Sequence, residues 1–143
     1  MDNKIFIASD HAGFDLKQKL IEEMPNDTFE DLGTSSKESV DYTDYANKLA
    51  DKLSKNNNRK GVLICGTGVG MSMAANKFNN IRAGLVYNSE VAKLIREHND
   101  ANILVLPGKY MDVKEAVKSV DNFISSPFEG GRHNIRLKKM IKK

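Results

Sequence analysis

Five short apolar runs, separated by segments of helical period, govern what this chain can fold into. They are "KIFIAS" (4–9), "TFEDLG" (28–33), "GVLICG" (61–66), "IRAGLVY" (81–87) and "ANILVLPG" (101–108). Most are nearly unbroken in apolar residues, as strands covered on both faces should be. The second is more polar and belongs at a sheet edge. Between the runs the period becomes helical. Phe14, Leu20, Ile21 and Met24 share one face, and Tyr42, Tyr45, Ala46, Leu49, Ala50 and Leu53 form a stripe at steps of three and four. Val91, Ala92, Leu94 and Ile95 make a third face, with Ser89 expected as its N-cap. "DVKE" (112–115) reads as a capping box opening a helix that carries Ala116, Val117, Val120, Phe123 and Ile124.

Strand and helix alternating in this way predict an α/β fold, a Rossmann-like three-layer α/β/α sandwich around a five-stranded parallel sheet. The 143 residues show no linker, low-complexity tract or internal repeat, so 1–143 reads as a single domain with its own core. "SSPFEGG" (125–131) then leads into a last helix expected over 132–142. The closing stretch "RHNIRLKKMIKK" has six Lys or Arg residues and no acidic one, with Leu137, Met140 and Ile141 lying together beneath that basic surface. A helix of this kind gains little by packing on its own domain, and we expect it to dock on a partner subunit.

Charge and cysteine content narrow the function. A formal net charge of +3 is too small to imply nucleic-acid binding, and no aromatic residues interleave the basic tail. No apolar run approaches the roughly 20 residues of a membrane helix, and the opening "MDNKIFIASD" lacks the long apolar stretch of a signal peptide. A lone cysteine cannot form an internal disulfide, and there is no C-x-x-C pair. These features predict a cytoplasmic protein with no nucleic-acid or membrane partner and no metal site.

Open parallel sheets bind ligands beyond the carboxyl ends of their strands. "SDHAG", "CGTGVG" and "HNDAN" are the unusual loops of this chain, and they are expected to gather Asp10, His11, Cys65, Thr67 and His98 near one crevice. The glycine loop 66–70 could present its backbone N–H groups to a phosphate or a developing oxyanion. Equally, it could be a tight turn needing glycine for backbone freedom alone. It is neither a dinucleotide fingerprint, since Met71 stands where a third glycine would be required, nor a P-loop, since no Gly-Lys-Ser/Thr follows. Cys65 is either a small buried apolar residue or, beside the positive end of a helix, a thiolate able to take a proton from a carbon next to a carbonyl. Arg132 and Arg136, four apart, share a helix face that either grips a phosphate or is simply solvated.

Taken together, "SDHAG", "DYTDYA", "ICGTGVGMSMAANK", "REHNDAN" and "FEGGRHNIR" resemble the type-B ribose-5-phosphate isomerases of the ribose/galactose isomerase superfamily. The motifs occur in the family's order across essentially the whole chain. The resemblance implies cofactor-free interconversion of ribose 5-phosphate and ribulose 5-phosphate through a cis-enediolate, in the pentose phosphate pathway. It implies Cys65 as the base, Thr67 as its assistant, and the backbone of Gly66, Gly68, Val69 and Gly70 as the anion hole. It implies His98 as the ring-opening residue, Asp10, His11, Tyr42 and Asn99 as substrate contacts, and Arg132 and Arg136 as phosphate ligands. Homodimers or homotetramers with shared active sites are implied as well. One branch of the family replaces the cysteine by a glutamate after the last loop glycine; here that position is Met71 and Cys65 is present. Relatives commonly carry arginine where this chain has Lys109, which meets a phosphate as a point charge rather than a planar fork. Two other readings stay open on sequence grounds: an isomerase of six-carbon sugar phosphates, and a non-catalytic phosphate- or nucleotide-binding module of the same fold.

Overall fold

The computed structural model describes residues 4–56 and 58–141. In chain order the elements are β1 (Ile5–Ser9), α1 (Phe14–Glu23), β2 (Phe29–Asp31), α2 (Tyr42–Ser54), β3 (Gly61–Cys65), α3 (Val69–Ala75), β4 (Ala83–Leu85), α4 (Ser89–Asn99), β5 (Ile103–Pro107), α5 (Val113–Ser125) and α6 (Arg132–Met140). The five strands form one parallel sheet in the order β2-β1-β3-β5-β4. Each apolar run of the sequence contributes one strand, and the polar "FED" strand lies at an edge as expected.

Side-chain alternation divides the core into two layers. Ile5, Ile7, Val62, Ile64, Leu104 and Leu106 face α1, α4 and α5, while Phe6, Ala8, Leu63, Cys65, Ile103 and Val105 face α2 and α3. A single crossover hand accounts for this division. The steps β1→β2 and β4→β5 run one way across the sheet, β2→β3 and β3→β4 the other, so their helices land on opposite faces. The first reversal opens a crevice between the carboxyl ends of β1 and β3.

The polar edge strand is held by charge. Lys17 of α1, fully buried, reaches Asp31 at 2.7 Å. Arg59 donates to the Lys4 carbonyl and to Glu30, with its guanidinium 3.6 Å from the centre of the Phe6 ring. No helix among the described residues is long and apolar enough to cross a membrane.

Several local expectations are corrected. Asn88, not Ser89, caps α4: its side chain accepts the Val91 N–H at 2.9 Å. Asp112 does accept the Glu115 N–H, but Glu115 does not reach back to complete the box. Its carboxylate accepts the Ser89 N–H instead and joins the starts of α4 and α5. Val91 and Ile124 point outward, because α4 and α5 pack on each other and on the sheet through Ala92, Ile95, Ala116, Val120 and Phe123. Helix α6 ends at Met140 with Ile141 in extended backbone, short of the expected end at 142, a position that lies outside the described residues. Among its residues His133 is buried and Leu137 half-buried, whereas Ile135, Met140 and the following Ile141 are exposed.

Close approach of three loops shapes the crevice. The Gly13 N–H donates to Asp10 Oδ1 at 2.9 Å, and a Cβ at Gly13 would collide with the Ile64 carbonyl of β3. Gly108 lies against Ala12 and Gly13 from the other side. Gly13 has φ −94°, which any residue adopts, so Gly13→Ala introduces only the collision. We expect Gly13→Ala to lose about 2 kcal/mol of stability, read as a fall in Tm of about 4–8 °C. A melting temperature unchanged from wild type would show that the loop is free to move off β3.

Candidate active site

Cys65 ends β3 with its side chain on the α2/α3 face, 5% exposed and in the same core layer as Met71. It stands at the rim of that core, where the strand gives way to the glycine loop. Gly68 sits in the left-handed region at φ +81°, where a residue with a Cβ is strained, and a Cβ there would also have to displace the tip of Leu85. Thr67 is exposed, and its Oγ1 accepts the Val69 N–H at 3.2 Å. Helix α3, which follows, spans only seven residues. The loop's own amides, more than a long helix's macrodipole, therefore set the local potential.

The carbonyls of this loop are all engaged. Cys65 C=O accepts from the Gly108 N–H at 2.7 Å and Gly66 C=O from the Lys109 N–H at 3.0 Å. Thr67 C=O accepts from the Tyr87 hydroxyl at 2.8 Å, and Gly68 C=O from the Ser72 N–H at 3.0 Å. The first three donors come from the segments after β5 and β4. A trans peptide points its N–H opposite to its C=O, so the amides of Gly66, Thr67 and Gly68 are turned away from those segments. Such an array of N–H groups suits an anion.

Asp10, His11, Tyr42 and Lys109 border the same loop. Asp10 is buried, and its N–H donates to the Ile64 carbonyl. His11 Nδ1 accepts the Val40 N–H at 3.1 Å, so in the neutral ring Nε2 carries the proton and is left as a donor. Tyr42 opens α2 with its ring against Gly70, where a Cβ would collide with it. It is 40% exposed and therefore belongs to the crevice more than to the apolar stripe of α2. The Lys109 stem runs over Gly66, its Cδ and Cε lying 3.4 and 3.5 Å from where a Gly66 Cβ would stand.

The expectation that His98 joins this crevice within one chain is not met. Helix α4 starts at the carboxyl edge of the sheet and runs back to the amino edge, where Asn102 bonds Gly61 ahead of the Gly61–Ile103 pairing. Cys65 pairs with Pro107 at the other end, roughly 13 Å away at the usual rise of a strand. A residue shortly before a parallel strand belongs to its amino edge, so His98 and Asn99 are on the far side from Cys65. Arg132 and Arg136 lie on that side too. His133, between them on α6, stacks on His98 with ring centres 4.6 Å apart and planes 15° apart. Neither arginine has an ion-pair partner among the described residues.

Much of "REHNDAN" is structural. Arg96 donates to the Asp100 carboxylate and to the carbonyls of Ala101 and Ser126, while Arg82 donates to the Asp100 carboxylate from a second side. Asp100 holds the left-handed turn at φ 48° that ends α4. These bonds fix the corner from which His98 and Asn99 project.

No ligand cluster for a metal is visible in the sequence, yet folding brings His98, Glu129 and His133 together, their ligand-type atoms all within 4.8 Å of one another. The two imidazoles cannot close on one ion as they stand. Their lone pairs lie in the ring planes, and stacked, nearly parallel planes do not meet at a shared point. Glu129 Oε1 instead lies 3.6 Å from His133 Nε2. A cavity of about 870 Å³ opens on the same side, between residues 76–82 and α6. Tyr87, Glu129 and His133 were not singled out as site residues from sequence. Only the four-residue spacing of Glu129 and His133 was a local signal, and Tyr87 is 20 residues from the loop it holds.

Comparison with known proteins identifies the family. Residues 5–140 match the family model described as Ribose/Galactose Isomerase. A probable ribose-5-phosphate isomerase B of Mycoplasma pneumoniae is 45% identical over 144 residues, covering 99% of this chain and 95% of that protein. The crystal structure of a ribose 5-phosphate isomerase from Thermotoga maritima superposes with a TM-score of 0.92 at 48% identity, covering 98% of each chain. The ribose-5-phosphate isomerase B of Mycoplasma genitalium, solved with bound ribulose-5-phosphate, gives a TM-score of 0.91 at 44% identity over 96% of this chain and 93% of that one. A match over nearly the whole chain, in sequence and in fold alike, places this protein in the ribose/galactose isomerase family.

Proposed function

We propose that this protein is a cytoplasmic isomerase interconverting ribose 5-phosphate and ribulose 5-phosphate, with Cys65 as the proton-transferring base. The observation that carries the reading is the single thiol of the chain at the head of a loop whose carbonyls are tied away and whose amides are turned the other way. Proton abstraction beside a carbonyl needs a base and a place for the resulting oxyanion, and this loop offers both. The ribulose-5-phosphate held by the Mycoplasma genitalium relative supports the substrate class.

The Cys65 sulfur takes the proton from C2 of the open-chain aldose. The C2–H electron pair becomes the C1–C2 double bond, and the C1 carbonyl pair moves onto O1. Amides of Gly66, Gly68 and Gly70 hold the enediolate, while the Val69 N–H is already engaged by Thr67 Oγ1. Returning the proton to C1, while the Thr67 hydroxyl relays a proton between O1 and O2, gives the ketose with no redox partner. Asp10, His11 and Tyr42 position the sugar, and Lys109 adds positive charge at the loop's edge.

Ring opening and phosphate binding come from a second copy. His98 and Asn99, and Arg132 and Arg136, stand at the amino edge of the sheet, out of reach of their own Cys65. The exposed Ile135, Met140 and Ile141 of the α6 region are apolar surface suited to subunit packing. In the resulting homodimer, alone or paired into a tetramer, each site joins one chain's Cys65 to the other chain's His98 and arginines.

Cys65→Ala is expected to lower kcat about 10³-fold, the scale of a lost general base, in an assay of ribose 5-phosphate isomerisation. Full turnover in that variant would remove the sulfur from the mechanism. Iodoacetamide is expected to inactivate the enzyme, and a sugar phosphate to protect it. Sharing of sites is tested by mixing inactive Cys65→Ala and His98→Ala chains after denaturation. Half of random dimers are mixed and each has one intact site of two, so about one quarter of wild-type activity returns. No recovery on mixing would place both residues in one chain's site.

A further inference from the structure

We infer that Tyr87 is a positioning residue for the loop that holds the enediolate, an inference that rests on the isomerase reading above. Tyr87 follows β4 with its ring 49% exposed and tilted against Tyr110, at 6.2 Å between ring centres. Its hydroxyl donates to the Thr67 carbonyl at 2.8 Å. The neighbouring carbonyls of Cys65 and Gly66 are held by backbone N–H groups after β5, and that of Gly68 by α3. Thr67 C=O alone among these four depends on a side chain, and therefore on residue identity.

The peptide joining Thr67 to Gly68 is one rigid plate, so the bond that fixes its oxygen also aims the Gly68 N–H. Gly68, at φ +81°, has the freedom a residue with a Cβ lacks, and loss of an anchor lets this plate turn where its neighbours cannot. A turned plate brings a carbonyl oxygen toward the crevice in place of an N–H, which repels the enediolate oxygen. The ground-state aldehyde carries no such charge and is affected far less. Tyr87 thus acts on the transition state through the loop without touching the sugar.

Tyr87→Phe removes the hydroxyl and keeps the ring contact. We expect kcat to fall about tenfold with KM changed less than about twofold, the pattern of an interaction realised in the transition state. Tm should stay within about 1 °C of wild type, since one exposed hydrogen bond is lost, and the Gly68 amide resonance should shift in the ¹⁵N spectrum. Tyr110→Phe, which keeps the same ring pair, should retain wild-type kinetics. Undiminished kcat in Tyr87→Phe overturns the inference while leaving the isomerase reading intact. So does a parallel loss of KM and Tm, which marks a structural role only. A wild-type protein without isomerase turnover overturns both.

Discussion

A peptide bond is a rigid plate, so whatever captures its carbonyl decides where its amide points. The loop after β3 depends on this constraint. Strand order places β5, not β4, beside β3, and the segment following β5 is therefore in reach to hold the Cys65 and Gly66 carbonyls. On the other flank, Gly13 lets the loop after β1 lie directly on the Ile64 backbone. The site is thus a product of topology, since the same glycine sequence after an edge strand would lack a neighbour on one side and could not be held in this way.

Topology also sets a limit. In a parallel sheet with helical crossovers each helix returns to the amino edge, so residues at its C-terminal end finish far from the strand-end crevice. Arg96, Asp100, Arg82 and Asn102 form a hydrogen-bonded corner of fixed shape there, with the Asn102 side chain accepting the Arg82 N–H and donating to the Asn80 carbonyl. A rigid corner of that kind cannot bend His98 round the sheet to its own Cys65. It can present His98 outward, stacked on His133, to another molecule. Separation within the chain is what makes completion by a second chain, as proposed above, the natural arrangement.

The elements of the fold were legible because their signals are local. Continuous apolar runs gave the buried strands, "FED" gave the edge strand, and three-four spacing gave the α2 face through Ala46, Leu49, Ala50 and Leu53. Asp10, His11, Cys65 and Thr67 could be placed together for a related reason, since they lie at or directly after the ends of β1 and β3, whereas Tyr42 and Lys109 follow other strands and are named as site residues only by the family resemblance. What escaped depends on pairing across the chain. Ser89 was an acceptable cap by type, but Asn88 has the extended backbone a cap needs, and the Ser89 N–H is taken by Glu115, 26 residues on. The Tyr87–Thr67 bond and the His98–His133 stack likewise join positions with no sequence relationship. The misplacement of His98 has a different origin. Alternating connectivity sends residues before a strand to its amino edge, so the composition of "HNDAN" suggests a site loop at an edge where the connectivity does not put one.

The near-complete burial of Cys65 is consistent with its proposed work. A sulfur open to water would let solvent exchange the proton in transit and would weaken the pull of the amides on the enediolate, because charge–dipole attraction falls as the local dielectric rises. Cys65 is only 5% exposed, and the loop's edge is covered by the Lys109 stem over Gly66. This gives the lysine a use that its ammonium alone does not suggest. A long side chain lays its methylenes on apolar surface and keeps its charge at the tip, so the Lys109 stem over Gly66 covers the back of the loop, on the side away from its amides. An arginine there would bind a phosphate more tightly through its fork. The covering half of the task needs only the methylenes, and those the lysine retains.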